Sequence, residues 1–288
     1  MKRPLLLLAA LVAAVSPAVA QDWAKARIEK SSRHLEWITV KHDGREVKCY
    51  IGYPEVKDKA TAVVVIHEIF GHTDWIQSVV DQLAEAGYIA IAPDLLSGMA
   101  PGGGGSLELA SNVGRVINTI PADQLTADLN ACADYVTKDP ACNGKVAVAG
   151  FCWGGGKSFL YAANNPKLKA AFVFYGTPPK PEDIARIACP VYGFYAGNDA
   201  RVTATVPKAT EDMKAAVKTY EPVTYEGAGH GFMRAGEAPA PPPPQLKNDR
   251  EADEKALEAY LKTATGYVAN YKARDAAWTR VKEILGKL

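Results

Sequence analysis

Cys152 lies in Gly150-Phe151-Cys152-Trp153-Gly154-Gly155, directly after the apolar run 146–149 and ahead of a helix-like segment. A thiol with an ordinary pKa of about 8.5 is mostly protonated at neutral pH, so nucleophilic use requires a nearby base or positive surroundings. The base is available downstream. His230 sits in Gly227-Ala228-Gly229-His230-Gly231-Phe232 after the strand-like 223–225, and Asp199 sits in Gly197-Asn198-Asp199 after the strand-like 191–195. Asp199 would fix the tautomer of His230, and His230 would exchange a proton with Cys152 and with a leaving group. The chemistry is acyl transfer.

The elements that must position these residues are written in hydrophobic pattern. Runs 62–66, 88–92, 146–149, 171–174 and 191–195 are short and nearly all apolar, as strands buried on both faces require. Between them, 75–86 puts Ile76, Val79, Val80 and Leu83 on one helical face, and 125–136 does the same with Leu125, Leu129, Cys132, Ala133 and Val136. Strand-like 35–41 and 45–53, separated by His42-Asp43-Gly44, read as a hairpin. The alternation predicts an α/β fold, a mainly parallel central sheet with helices on both faces and chemistry at the carboxyl ends of the strands. The chain order nucleophile, acid, histidine selects the α/β-hydrolase arrangement. Glycines around Cys152 fit a sharp strand-to-helix turn that leaves the nucleophile exposed.

Composition bounds the rest. Residues 1–20 have a basic start at Lys2 and Arg3, an apolar run, and Ala18-Val19-Ala20 before Gln21, so they read as a cleavable signal peptide. The expected mature protein, 21–288, is a single exported domain, periplasmic or secreted and monomeric. A Pro-rich insertion is expected at about 235–270, with 238–244 as a stiff extended crossing, 248–261 as a charged surface helix, and 101–105 as a flexible glycine loop. A last helix is marked by Trp278, Val281, Ile284 and Leu285. Net charge is +1 with no long basic run, which argues against a nucleic-acid partner, and no later segment is apolar enough for stable membrane insertion. Gly102 to Gly105 lack the Lys and Ser/Thr of a phosphate loop. Of five cysteines, Cys132 and Cys142 are candidates for a local bridge, with free thiols the equal alternative. Asp74 and Asp94 read as caps of backbone amides, and His67 as structural.

Four motifs in order, His67-Glu68-Ile69-Phe70-Gly71, the Cys152 turn, Gly197-Asn198-Asp199 and Gly229-His230-Gly231-Phe232, resemble the dienelactone hydrolase family from about residue 62 to 234. That family opens the lactone ring of 4-carboxymethylenebut-2-en-4-olide. The resemblance implies a Cys152, Asp199 and His230 triad, with Glu68 contacting the resting thiol and helping to activate it. It implies an oxyanion hole from the N–H groups of Ile69 and Trp153, which agrees with the general placement of such donors after the nucleophile and after the third strand. Arg234 matches the position that grips a substrate carboxylate, and Arg115 lies in the region of the family's second such arginine. The expected activity is hydrolysis of a small, anionic ester or lactone through a thioester, with neither metal nor organic cofactor. The alternatives are a broader exported carboxylesterase and a catalytically silent periplasmic binding protein of the same fold.

Overall fold

The computed structural model describes residues 22–235, 243–247 and 249–288. The proposed signal peptide, and most of the proline-rich crossing, lie outside the described residues. Eight strands form one sheet in the order β1-β2-β4-β3-β5-β6-β7-β8. Strands β1 (His34–His42) and β2 (Arg45–Tyr53) are the expected hairpin, and β2 also runs antiparallel to β4 (Ile89–Pro93). From β4 onward the sheet is parallel through β3 (Ala60–Ile66), β5 (Cys142–Phe151), β6 (Ala170–Phe174), β7 (Val191–Ala196) and β8 (Tyr220–Tyr225).

The apolar runs are continuous because both faces of these strands are covered. In β3, Ala62, Val64 and Ile66 join one core, while Val63 and Val65 join the other. Helices α1 (Asp22–Lys30), α2 (Asp74–Glu85), α3 (Ala122–Lys138), α4 (Trp153–Asn164) and α5 (Val206–Ala215) precede or follow strands, and α6 (Arg250–Leu285) closes the chain. The apolar faces expected for α2 and α3 are buried. Each of the two helices also buries an acid: Asp81 on α2, held by Arg33 at 2.6 Å, and Asp128 on α3, which is fully enclosed and holds His42 at 2.8 Å and Arg45 at 2.9 Å, pinning the hairpin end to the helix.

Three expectations change. The bridge between Cys132 and Cys142 is not formed and the five cysteines are free. Cys132 is on the sheet-facing side of α3, with its sulfur 3.6 Å from that of Cys49 on β2, whereas Cys142 turns its sulfur toward the Gly144 N–H at 3.4 Å. The glycine loop is a folded turn, helical over Pro101–Gly103 and tied down where Asp94 accepts from Ser106 N and Oγ at 2.7 and 2.6 Å. The surface helix and the final helix are one 36-residue helix, α6, about 54 Å long. No proline or glycine pair interrupts it, so the packed carboxyl half propagates back through the charged half. Among the described residues no helix is long and apolar enough to cross a membrane.

Candidate active site

The turn from β5 into α4 holds Cys152 at φ 56°, ψ −115°, a left-handed conformation that costs a non-glycine residue about 1–3 kcal/mol. The surrounding structure over-determines it. Cys152 N–H donates to Phe174 O at 3.0 Å, and its carbonyl accepts from Gly155 N–H at 3.0 Å. Glycine is required at 154 because a Cβ there would lie 2.4 Å from the carbonyl oxygens of Ile66 and His67. Thus β3 and α4 approach closely, which brings the turn after β3 to the sulfur.

That turn carries Glu68, nearly fully buried, and Ile69. Burial pushes the Glu68 carboxyl up to about 7, with Arg234 and the Tyr175 hydroxyl opposing the rise. Arg234 Nε lies 3.3 Å from Glu68 Oε2, an ion pair without hydrogen-bond alignment, and the guanidinium rests over Phe70. Among the described residues, Glu68 Oε1 and the Tyr175 hydroxyl likewise lack a well-aligned hydrogen-bond partner. The Cys152 thiol is raised by burial and by the Glu68 charge, while the N–H groups of Trp153 and Ile69 and the Arg234 charge pull it down. Both amides expected in an oxyanion hole therefore act on the Cys152 sulfur.

His230 and Asp199 approach from the other strand ends. His230 Nδ1 is 2.5 Å from Asp199 Oδ2, while Asp199 Oδ1 accepts from Val202 N–H at 3.3 Å and so also caps a helical turn. Tyr175 lies between this pair and Cys152: its ring is 5.0 Å from that of His230, and it lines, with Cys152, a cavity of about 460 Å³. Among the described residues no hydrogen bond connects Cys152 with His230; the sulfur instead faces the Glu68 side.

Two further residues fall as sequence reasoning placed them. His67 is fully buried, with Nδ1 2.9 Å from Glu68 O and its ring stacked on Trp153 at 5.6 Å, and burial lowers its pKa. Asp94 is occupied in the hydrogen bonds to Ser106. Arg115 is exposed on the turn Val113–Val116 and does not line the Cys152 cavity. Tyr175 was not legible in the sequence: it follows β6 and has φ 39°, and nothing about a tyrosine after a strand marks it for the left-handed region. A larger concavity, about 1140 Å³, lies between the hairpin turn and residues 103–108 and is lined by none of Cys152, Asp199, His230 or Glu68. Volume alone therefore does not locate the chemistry.

A largely parallel sheet that presents a residue on a strained strand-to-helix turn, with a histidine and its carboxylate on later strand ends, defines an α/β-hydrolase fold. Within that class the chain belongs to the dienelactone hydrolase family, whose model matches residues 47–288. A Yersinia pestis protein named "Putative carboxymethylenebutenolidase" is 35% identical over 215 residues, covering 69% of this chain and 79% of its own. An Escherichia coli K12 protein of the same name is 31% identical over 209 residues, covering 68% and 76%. Among solved structures, "Putative Dienelactone Hydrolase" from Klebsiella pneumoniae matches with a TM-score of 0.64 at 27% identity, covering 80% of this chain and 98% of that one. The chain is accordingly a dienelactone hydrolase-like hydrolase of small molecules.

Proposed function

We propose that this protein hydrolyses small esters or lactones by attack of Cys152 on the acyl carbon, through a thioester that water then resolves. The observation that carries this reading is the strained Cys152 turn, which sets one sulfur among a buried carboxyl, an arginine and the N–H groups of Ile69 and Trp153. In the resting arrangement Glu68 is paired with Arg234. A substrate carboxylate competing for Arg234 removes the charge that holds the Glu68 pKa down, making Glu68 a better acceptor for the thiol proton. The thiolate attacks, and the developing oxyanion is held by the two amides. His230, oriented by Asp199 and entering the cycle with a proton on each ring nitrogen, protonates the leaving oxygen and regains its proton from the water that cleaves the thioester, while Glu68 returns its proton to the departing Cys152 sulfur. An enol leaving group needs little protonation, which suits lactones of enols to a thiol nucleophile.

The amino-terminal pattern of residues 1–20 supports export, and a mature amino terminus at Gln21 is the outcome expected from sequencing the protein released from cells. The activity is tested with dienelactone and with 4-nitrophenyl acetate. Cys152→Ala should lower kcat/KM by at least three orders of magnitude on both. Activity that survives the substitution would remove Cys152 as nucleophile.

A further inference from the structure

The cavity beside Cys152 has a wall that the mechanism above leaves unused. Lys157 lies on α4 five residues beyond the nucleophile, about 7 Å further along the helix axis. It is half-buried, and its Nζ rests 5.1 Å from the centre of the Trp153 ring. Arg201 faces the same cavity from the turn Ala200–Thr203 that follows Asp199. Among the described residues, neither Lys157 nor Arg201 makes an ion pair or a hydrogen bond with a carboxylate. The other charges of this wall are committed elsewhere: Asp183 is held by Arg186 at 2.8 Å, and Lys180 has Glu182 at 4.0 Å. Burial lowers the Lys157 pKa, as expected for an ammonium partly removed from water.

A cation kept partly out of water on an aromatic ring, with an exposed arginine lining the same cavity as Cys152, is arranged for an anion supplied from outside. Arg234 does not line this wall and is engaged with Glu68. We infer that Lys157 and Arg201 form a second carboxylate-binding subsite, so that the preferred substrates are esters or lactones carrying an anionic group remote from the one that reaches Arg234. This rests on the Cys152 reading for the reaction, but the binding of a carboxylate to the subsite is separable from turnover.

The test uses 4-nitrophenyl esters of glutaric acid, with its free carboxylate, and of valeric acid, its neutral counterpart of equal chain length. The wild-type protein should favour the glutarate monoester in kcat/KM by about tenfold. Lys157→Met, which keeps the aliphatic stem on Trp153, and Arg201→Gln should each reduce that preference at least threefold, acting through KM. Raising salt from 0.05 to 0.5 M should erode the wild-type preference. In parallel, glutarate itself should bind the wild-type and the Cys152→Ala proteins, measured by calorimetry, and bind Lys157→Met at least threefold more weakly. No wild-type preference for the anionic ester, or glutarate affinity indifferent to both substitutions, would overturn the subsite. Loss of glutarate affinity in Lys157→Met with ester hydrolysis unaffected by Cys152→Ala would instead retain the subsite and reject the nucleophile.

Discussion

At the scale of single residues, the site is organised around a carboxyl that burial keeps half-protonated near neutrality. Glu68 has its pKa raised to about 7, whereas the unfolded chain would titrate near the ordinary value of 4.5. The folded state therefore favours the proton, and the stability associated with it is complete below about pH 4.5 and is lost as pH rises through about 7. The full difference is about 3 kcal/mol. Glu68→Gln does not titrate, so its stability relative to wild type should rise by about that amount between pH 4.5 and 8, as read by urea unfolding at a series of pH values. Parallel profiles would mean that Glu68 titrates normally. The same substitution removes a negative charge beside the sulfur, so the pH dependence of Cys152 alkylation by iodoacetamide should move to lower pH.

At the scale of elements, polar side chains within apolar faces decide how the frame is locked. Asp128 occupies a core position of α3 together with Leu125, Leu129 and Cys132, and among the described residues its carboxylate is held by His42 and Arg45 across the hairpin end. Removing one member of such a set leaves the others uncompensated. Asp128→Ala should cost about 3–5 kcal/mol in denaturant unfolding, with hydrogen exchange accelerating first at the turn between β1 and β2. A cost below 1 kcal/mol would show that solvent already screens the network. Close backbone packing has the same deciding role at the nucleophile, where Gly154 permits β3 and α4 to meet and so delivers Glu68 and Ile69 to Cys152.

At the scale of the whole molecule, α6 backs the loop that carries His230. Its carboxyl half buries Ala273, Ala277, Val281 and Leu285 against the sheet, and Asn270 Oδ1 accepts from the Gly229 N–H at 2.7 Å, next to His230. If His230 acts as proposed, Asn270 positions it through this bond. Loss of a hydrogen bond worth about 1 kcal/mol should lower kcat on the order of fivefold in Asn270→Ala. KM should change little, and Asn270→Asp, which keeps the acceptor, should recover most of the rate. Equal losses in both variants would assign the effect to helix packing. The amino half of α6 exposes Leu257 and Leu261, so exchange protection should rise sharply from there toward residue 273.

The sequence by itself determined the sheet of buried strands, the apolar faces of α2 and α3, and the sites of Cys152, Asp199, His230 and Glu68 at strand ends, because periodicity and turn chemistry are local properties. It also carried the family, through four motifs in fixed order. It did not determine that Cys132 meets Cys49 rather than Cys142, that Asp128 belongs in the core, or that two helical patterns join into α6. Nor did it show that Tyr175, Lys157 and Arg201 share a cavity with the nucleophile. Those facts depend on which elements become neighbours in space, and on burial that shifts a carboxyl or takes a lysine partly out of water. Only the tertiary structure sets such distances and such desolvation, since the residues concerned are far apart along the chain and each is ordinary in its own local context.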